Sequence, residues 1–263
     1  PRDAWYWYNQ GDELVALNCF REALESLDQA IKLNPAHAES WAKRGQSLRR
    51  LSRPQDALAA YDRALAINSR YAWAWNGRGL TLEALGRREE AIASYEHALE
   101  EDDRVIWYYT NQVDLLLEMR RETQALAVID RALIMLPDNA IAWSRKGQVL
   151  RRLRDFESAL EAYQQALNRD PNYGWAWNGK GLTYAALSRW EEARECYERA
   201  VIHTPNDAWF WHNVGEACFN LDDCPAAVTA FERALSIDPG HQASQTKLLQ
   251  SRDCVELRDK FIQ

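Results

Sequence analysis

Two short basic clusters with the same residue order could bind anionic groups. Each consists of a glutamine followed three residues later by two arginines, and the clusters lie 102 residues apart: Gln46, Arg49 and Arg50, then Gln148, Arg151 and Arg152. A guanidinium group donates two parallel hydrogen bonds to a carboxylate or phosphate. The sequence therefore predicts contacts to acidic groups at two places, with a solvated charged surface as the alternative for any single arginine.

Four asparagines and four tryptophans recur near these clusters with the same 102-residue interval. They are Asn76, Asn111, Asn178 and Asn213, and Trp73, Trp107, Trp175 and Trp209. An asparagine side chain offers both a donor and an acceptor to a peptide backbone. Large apolar rings on an exposed face mark a contact surface. The alternative for the tryptophans is burial against a neighbouring helix, and the sequence leaves both open.

Residue combinations typical of an active site are not found. The sequence has no H-E-x-x-H, G-x-S-x-G or P-loop pattern, and none of its five histidines has metal-ligand spacing from a second ligand. We expect no enzymatic activity, no cofactor and no metal. The five cysteines form no C-x-x-C pair and are predicted to be reduced thiols in a cytoplasmic protein.

The composition narrows the class of protein further. The 263 residues are 47% hydrophobic with few glycines and prolines, which favours helix, and the net charge is −7. An acidic chain is a poor general partner for nucleic acid, whose phosphates require a basic excess. No apolar run of about 18 residues is present, so membrane insertion is not expected.

A 34-residue period organises the chain. Seven repeats without insertions or deletions cover residues 4–37, 38–71, 72–105, 106–139, 140–173, 174–207 and 208–241. Counting positions 1 to 34 in each repeat, position 4 is aromatic, position 8 is glycine in six repeats, and positions 20 and 27 are always alanine. Repeat 4 departs most, with Tyr109, Val113 and Ile129 at positions 4, 8 and 24, and a different local stacking is expected there.

This pattern resembles the tetratricopeptide repeat family. The resemblance implies an all-α fold, a right-handed superhelical α-solenoid of antiparallel helix pairs. Helix A would cover about positions 1–14 and helix B about 18–30, with a concave groove lined by A helices. Residues 242–263 are predicted to form a C-terminal capping helix, with Leu248, Phe261 and Ile262 among its apolar residues.

Helical geometry separates two faces of helix A. At roughly 100° per residue, positions 4, 8 and 11 share one arc and should pack the solenoid, whereas positions 2, 5, 9, 12 and 13 share another and should line the groove. The tryptophans at position 2, the glutamines at position 9 and the arginines at positions 12 and 13 belong to the second arc. The 102-residue period also fits duplication of a three-repeat block, and the two explanations are compatible.

We therefore expect a protein-interaction scaffold that binds an extended or helical peptide segment, with an acidic segment favoured. The family's lysine and asparagine pair for a terminal carboxylate, at positions 5 and 9, is not found. One alternative is a sensor array of a larger signalling ATPase or protease, since the chain begins without Met. A weaker one is a glycan platform. The sequence leaves self-association open.

Overall fold

The computed structural model describes residues 3–262, with the side chains of residues 3–257. Within them the chain is helical and contains no β-strand. The helices are α1 (Ala4–Ala16), α2 (Phe20–Leu33), α3 (Ala38–Arg50), α4 (Pro54–Ile67), α5 (Ala72–Ala84), α6 (Arg88–Glu101), α7 (Ile106–Glu118), α8 (Glu122–Met135), α9 (Ala140–Arg152), α10 (Phe156–Arg169), α11 (Gly174–Ala186), α12 (Trp190–His203), α13 (Ala208–Asn220), α14 (Cys224–Ile237) and α15 (Gln242–Ile262).

The odd-numbered helices α1 to α13 each begin at the first residue of a 34-residue repeat, and an even-numbered helix follows after a short turn. Each A helix packs along the B helix of its own repeat. The predicted all-α solenoid of antiparallel helix pairs is confirmed. Helix A occupies positions 1–13 and helix B positions 17–30.

The chain divides into two compact units, residues Pro1–Met135 with α1–α8 and residues Leu136–Gln263 with α9–α15. The first unit ends at the last residue of the B helix of repeat 4, the repeat whose sequence departs most. Each unit contains one copy of the residues that recur at 102-residue spacing.

Close packing within each helix pair depends on small residues. The position-20 and position-27 alanines are fully buried, and the large side chain at position 24, a tyrosine in four repeats, lies over the position-8 glycine where a glycine is present. A Cβ atom added to Gly79 would lie 2.5 Å from a ring carbon of Tyr95. Gly179 at position 6 is equally tight, because its added Cβ would lie 2.4 Å from the ring of Tyr163 in the preceding repeat. The ring therefore fills space that only glycine leaves open.

Every A–B turn uses a left-handed residue at position 15. The seven residues have φ angles between 57° and 73°, and only Gly86 is a glycine. The other six are Asn18, Ser52, Arg120, Arg154, Ser188 and Asp222. The N–H one residue later bonds back to a carbonyl in the last turn of helix A, as from Arg53 to Leu48 at 2.9 Å. This is a Schellman motif, which satisfies a carbonyl at the helix end.

The position-4 tryptophans do more than fill space. The indole Nε1 donates to the backbone carbonyl at position 32 of the preceding repeat, as from Trp177 to Pro171 and from Trp75 to Ser69, both at 2.8 Å. Trp41, Trp143 and Trp211 make the same bond. The hydrogen bond stabilises the turn between repeats. The acceptor need not be a proline, since the Ser69 carbonyl accepts the same bond.

The expectation of five reduced cysteines is wrong. Cys224 and Cys254 form a disulfide that joins the first residue of α14 to α15, while Cys19, Cys196 and Cys218 are free thiols. The two partners are 30 residues apart in sequence. They meet because the antiparallel course of α14 and α15 places the start of one helix beside the fourth turn of the other. A stable disulfide is more typical of an oxidising compartment than of the cytoplasm.

The described residues contain neither a membrane-spanning helix nor a cluster of metal-ligating side chains. None of their helices is both long and apolar enough to cross a bilayer. They contain no group of three or more His, Cys, Asp or Glu side chains positioned to hold a metal ion.

Candidate ligand-binding site

The A helices form the inner side of each unit. Within a unit, the backbones of consecutive A helices approach closely, as do α3 with α5 and α11 with α13, whereas those of consecutive described B helices do not and meet only through side chains, as Arg131 with Glu96. A stack that touches along one row of helices and separates along the other curves toward the first row. We call the surface formed by A-helix positions 2, 5, 9, 12 and 13 the inner face.

Three of the four predicted tryptophans lie largely in solvent on the inner face. Trp107, Trp175 and Trp209 are 58%, 56% and 59% exposed. Trp175 contacts Phe210 of the following repeat edge-on, with ring centroids 4.9 Å apart, and keeps more than half of its surface free. More than half of the surface of each side chain lies outside the core, so an apolar ligand can contact the rings without disturbing the fold.

Trp73 differs from the other three because it is half-buried. Its ring lies against Tyr61 and Tyr71 of the preceding repeat, with centroids 6.4 and 6.0 Å away, and Lys43 lies over it at 5.1 Å. Trp73 packs against the core cluster around Tyr61. It is therefore in part a structural residue, and its removal would affect stability as well as any ligand.

The predicted asparagines form two matching side-chain pairs between neighbouring A helices. The Asn111 amide donates to the Asn76 oxygen at 2.8 Å, and the Asn213 amide donates to the Asn178 oxygen at the same distance. Asn178 is only 7% exposed, so its main contribution is to orient Asn213. The sequence could not show this pairing, which joins position 5 of one repeat to position 6 of the next.

The arginine pairs divide into an inner and an outer member. Arg49 and Arg151 are partly buried, and the Nε of each is buried without a hydrogen-bond partner. Burial raises the pKa of Tyr61 to about 12, and the neighbouring Arg49 guanidinium opposes this shift. Arg151 acts in the same way on Tyr163. Each inner arginine thus lies against a buried phenol with donor capacity left over.

The outer arginines of the two pairs are exposed, whereas the two glutamines differ from each other in hydrogen bonding. Arg50 is exposed with its guanidinium 5.4 Å from the Phe20 ring, and Arg152 is exposed as well. The Gln46 side-chain oxygen is buried without a hydrogen-bond partner, whereas that of Gln148 accepts from Arg145 at 2.8 Å.

A cavity of ≈ 550 Å³ opens on the inner face of the second unit, between α11, α13 and α15. Leu182, Ala185 and Tyr197 lie on one side, and Trp209 and Trp190 add aromatic walls. The lining is mostly apolar, with a few polar groups at one side. This combination is typical of a site that encloses one ligand side chain and orients it.

The polar side of the cavity comes from α13 and α15. Asn213 and Glu216 belong to α13, and Thr246 and Lys247 belong to α15. The Lys247 ammonium forms an ion pair with Glu216 at 2.9 Å, so the charges of this pair largely offset one another.

Two buried histidines join α13 to the start of α15 beside the cavity. His212 Nδ1 lies 3.0 Å from the Ser244 hydroxyl, and His241 Nδ1 accepts from the Ser244 N–H at 3.2 Å. Burial lowers the pKa of His212; Glu216 opposes this, while His241 and Lys247 add to it. His212 is therefore neutral near pH 7, and protonation of its ring would destabilise the folded state.

Helix α15 is built like another A helix. Gln245 occupies position 4 and donates to the Pro239 carbonyl at 2.8 Å, the bond that tryptophan makes in other repeats. Lys247 pairs with Glu216 as Lys43 pairs with Asp12, and both residues of the first pair lie 204 residues after those of the second. Leu248 packs in the core of α13 and α14, as expected of a capping helix, whereas Phe261 and Ile262 lie outside the residues with described side chains.

Sequence reasoning missed the contribution of α15 to the site. The missing aromatic at position 4 concealed the relationship, although the 102-residue period carried the signal. His37, Ser40, Lys43 and Gln46 correspond at 204 residues to His241, Ser244, Lys247 and Gln250.

Comparisons with known proteins agree with this geometry. Family models described as tetratricopeptide repeat match residues 8–72, 43–104 and 110–174, and another with the same description matches residues 172–240. No curated protein matches the chain.

Solved structures with this architecture were also found. A chain of the APC/C hetero-tetramer Cut9–Hcn1 is 15% identical with a TM-score of 0.69, over 94% of this chain and 48% of that one, so this chain spans about half its length. A tetratricopeptide repeat protein from Parabacteroides merdae is 17% identical with a TM-score of 0.72, over 95% and 98% of the two chains. YrrB, described as a tetratricopeptide repeat protein with an unusual peptide-binding site, is 25% identical with a TM-score of 0.53, over 69% and 94%.

Proposed function

Because the chain belongs to the tetratricopeptide repeat family, we propose that it is a non-enzymatic scaffold whose inner face binds a peptide segment of a protein partner. The observation that carries the proposal is the exposure of Trp107, Trp175 and Trp209 on the inner faces, beside paired asparagines and basic side chains. Rings of this size are found at the energetic centres of protein interfaces. The likeness to YrrB, whose description names a peptide-binding site, supports the same class of ligand.

The asparagine pairs give this surface a way to hold a main chain. Each pair uses one amide donor and one amide acceptor for its own bond, and an asparagine side chain has two donors and two acceptor positions. Asn213 lies at the cavity of the second unit, where its remaining groups can bond a peptide backbone. The tryptophans would then contact apolar side chains on either side.

The arginines favour an acidic segment. Arg49 and Arg151 keep a buried Nε without a partner, and Arg50 and Arg152 extend the positive charge toward solvent. Because exposed charge pairs are screened by salt, the affinity for an acidic peptide should fall as the salt concentration rises. The cytoplasmic location that we propose is compatible with the three free thiols, and in that compartment the Cys224–Cys254 bond would be open to reduction.

The test begins with selection of random dodecapeptides on the wild-type protein, followed by affinity measurements with fluorescently labelled winners. The double variant Trp175→Ala/Trp209→Ala and the single variant Trp107→Ala should each weaken peptides bound to their own unit at least tenfold. Ile202→Ala and Ile134→Ala, which remove comparably exposed apolar side chains from B helices, serve as matched controls. Equal affinities for the tryptophan variants and the controls would rule out the proposed surface.

Two further arms separate the other possibilities. Arg50→Glu/Arg152→Glu should lower the affinity for acidic winners and leave neutral ones unchanged. A glycan array probed in parallel tests the glycan alternative, since selective glycan binding that disappears in Trp175→Ala/Trp209→Ala would favour it over a peptide.

A further inference from the structure

We infer that the cavity of the second unit binds the carboxylate of a glutamate side chain from the bound peptide, at the place where the first unit carries its own Glu83. This inference rests on the proposed function and specifies the ligand at one site. It comes from comparing two copies of the same surface within one chain.

The two copies agree in the residues that surround this place. Residues 102 apart are identical at the inner arginine, the buried tyrosine and the exposed tryptophan: Arg49 and Arg151, Tyr95 and Tyr197, Trp107 and Trp209. The same holds for Leu80 and Leu182. Position 12 of the same A helices differs, however, because Glu83 in the first unit corresponds to Ala185 in the second. Other lining positions also differ, including Trp190 for Arg88.

In the first unit the carboxylate of Glu83 is held from within the chain. The Tyr95 hydroxyl donates a hydrogen bond to it. Burial raises the pKa of the Glu83 carboxyl, as do the nearby charges of Glu118 and Asp114, whereas the Tyr95 bond and the positive charge of Arg49 oppose that shift. The copy in the first unit therefore shows what this arrangement of tyrosine and arginine accommodates, which is a carboxylate on a side chain as long as glutamate.

In the second unit the equivalent place is part of the cavity. Ala185 and Tyr197 both line it, so the methyl group leaves open the space that the longer side chain fills in the first unit. Arg151 lies within electrostatic range of the Tyr197 hydroxyl, as Arg49 does for Tyr95, and its Nε is buried without a partner. Tyr197 thus lines the cavity beside Ala185 with the charge of Arg151 within electrostatic range of its hydroxyl, and the carboxylate that lines the cavity, Glu216, is already paired with Lys247.

Charge and shape identify the class of ligand group. Lys247 is engaged by Glu216, so an incoming carboxylate beside Ala185 would bond the Tyr197 hydroxyl, with the Arg151 charge within electrostatic range of that hydroxyl. The apolar lining from Leu182, Trp190 and Trp209 suits the methylenes of a glutamate and an adjacent large apolar residue. The occupant is therefore a peptide segment with a large apolar residue next to glutamate. The first unit, which holds Glu83 in the corresponding place, does not bind this segment in the same way.

The probe is a peptide blocked as an acetyl group and an amide, Ala-Ala-Phe-Glu-Ala-Ala, with the Phe-Gln peptide as its neutral match. Isothermal titration of the full chain should show the glutamate peptide binding at least tenfold more tightly, with one peptide per chain. Ala185→Glu places the side chain of the first unit in the cavity and should reduce the affinity for the glutamate peptide at least tenfold. Thr229→Glu adds the same charge on α14 away from the cavity and should change it less than twofold.

Two more variants test the partners of the carboxylate. Tyr197→Phe keeps the buried ring and removes the hydroxyl, so it should weaken the glutamate peptide about tenfold and the glutamine peptide less, because the amide oxygen accepts only a neutral hydrogen bond. Glu83→Ala should open the copy in the first unit and raise the stoichiometry from one peptide to two. Circular dichroism and thermal midpoints check that each variant is folded.

The inference and the proposed function can fail separately. Equal affinities for the glutamate and glutamine peptides, or an undiminished affinity in Ala185→Glu, would overturn the inference, while selected peptides that depend on Trp175 and Trp209 would still support the scaffold. Failure of the Phe-Glu peptide to bind at millimolar concentration would also overturn it. Insensitivity of every selected peptide to the tryptophan variants would remove the proposed function itself.

Discussion

Exchanging the turn residues Gly86 and Ser188 should change stability in opposite directions. Both occupy position 15, 102 residues apart, with φ angles of 73° and 58°. A non-glycine residue in this conformation costs about 1–2 kcal/mol because its Cβ approaches the following carbonyl oxygen. Glycine loses more conformational entropy on folding, by roughly 0.5–1 kcal/mol. The balance predicts that Ser188→Gly stabilises the second unit by about 0.5–1 kcal/mol and that Gly86→Ser destabilises the first by a similar amount.

The structure shows that backbone conformation alone decides this effect. A Cβ added to Gly86 would meet no other atom within 4 Å, so a side chain there creates no clash. Urea denaturation followed by circular dichroism measures the change, and hydrogen exchange of the flanking helices assigns it to one unit because repeat arrays unfold in parts. Ala93→Gly, at an exposed site inside α6, is the control and should cost about 1 kcal/mol. If Ser188→Gly destabilised the protein as Ala93→Gly does, the backbone argument would be refuted.

Three further outcomes follow from the packing and the titrating groups. Gly179→Ala should lower the free energy of unfolding in urea by up to about 2 kcal/mol, because a clash with Tyr163 of about 1–3 kcal/mol opposes a gain of about 1 kcal/mol in helix propensity; increased stability would contradict the packing. Trp177→Phe should cost about 1 kcal/mol by removing the indole donor to Pro171, and an unchanged urea midpoint would mean that the bond is not needed. Burial lowers the pKa of His212, so the unfolded chain binds more protons and stability should fall as the pH drops below about 6.5; the variant His212→Thr, with the residue found at this place in the first unit, should reduce that slope, and an equal slope would refute the assignment.

Periodicity predicted the helix pairs because each position has one packing role in every repeat. The alanines at positions 20 and 27 and the ring at position 24 are buried as their sizes require. The role of position 4 was harder to predict, since a tryptophan that packs and one that donates a hydrogen bond give the same sequence pattern. Gln245 distinguishes them, because it shares with tryptophan a donor of suitable reach and lacks the ring.

The candidate site was predictable in its position and only partly in its chemistry. Helical geometry placed Trp107, Trp175 and Trp209 on the inner face, but it could not distinguish Trp73, whose burial depends on tyrosines from the preceding repeat. The exchange of Glu83 for Ala185 is visible in the sequence. Its meaning depends on a tertiary hydrogen bond from a residue twelve positions away, which helix periodicity does not reveal.

The disulfide between Cys224 and Cys254 changes how the end of the array can come apart. Among the described helices α15 packs only on α13 and α14, so few contacts oppose its opening. Here a disulfide between residues 30 positions apart ties α15 to the first turn of α14. Closing a loop of this length raises the free energy of the open state by about 3–4 kcal/mol, because the open chain loses conformational entropy. While the bond is intact, α15 can detach fully only together with the start of α14, so the two helices open as one cooperative block.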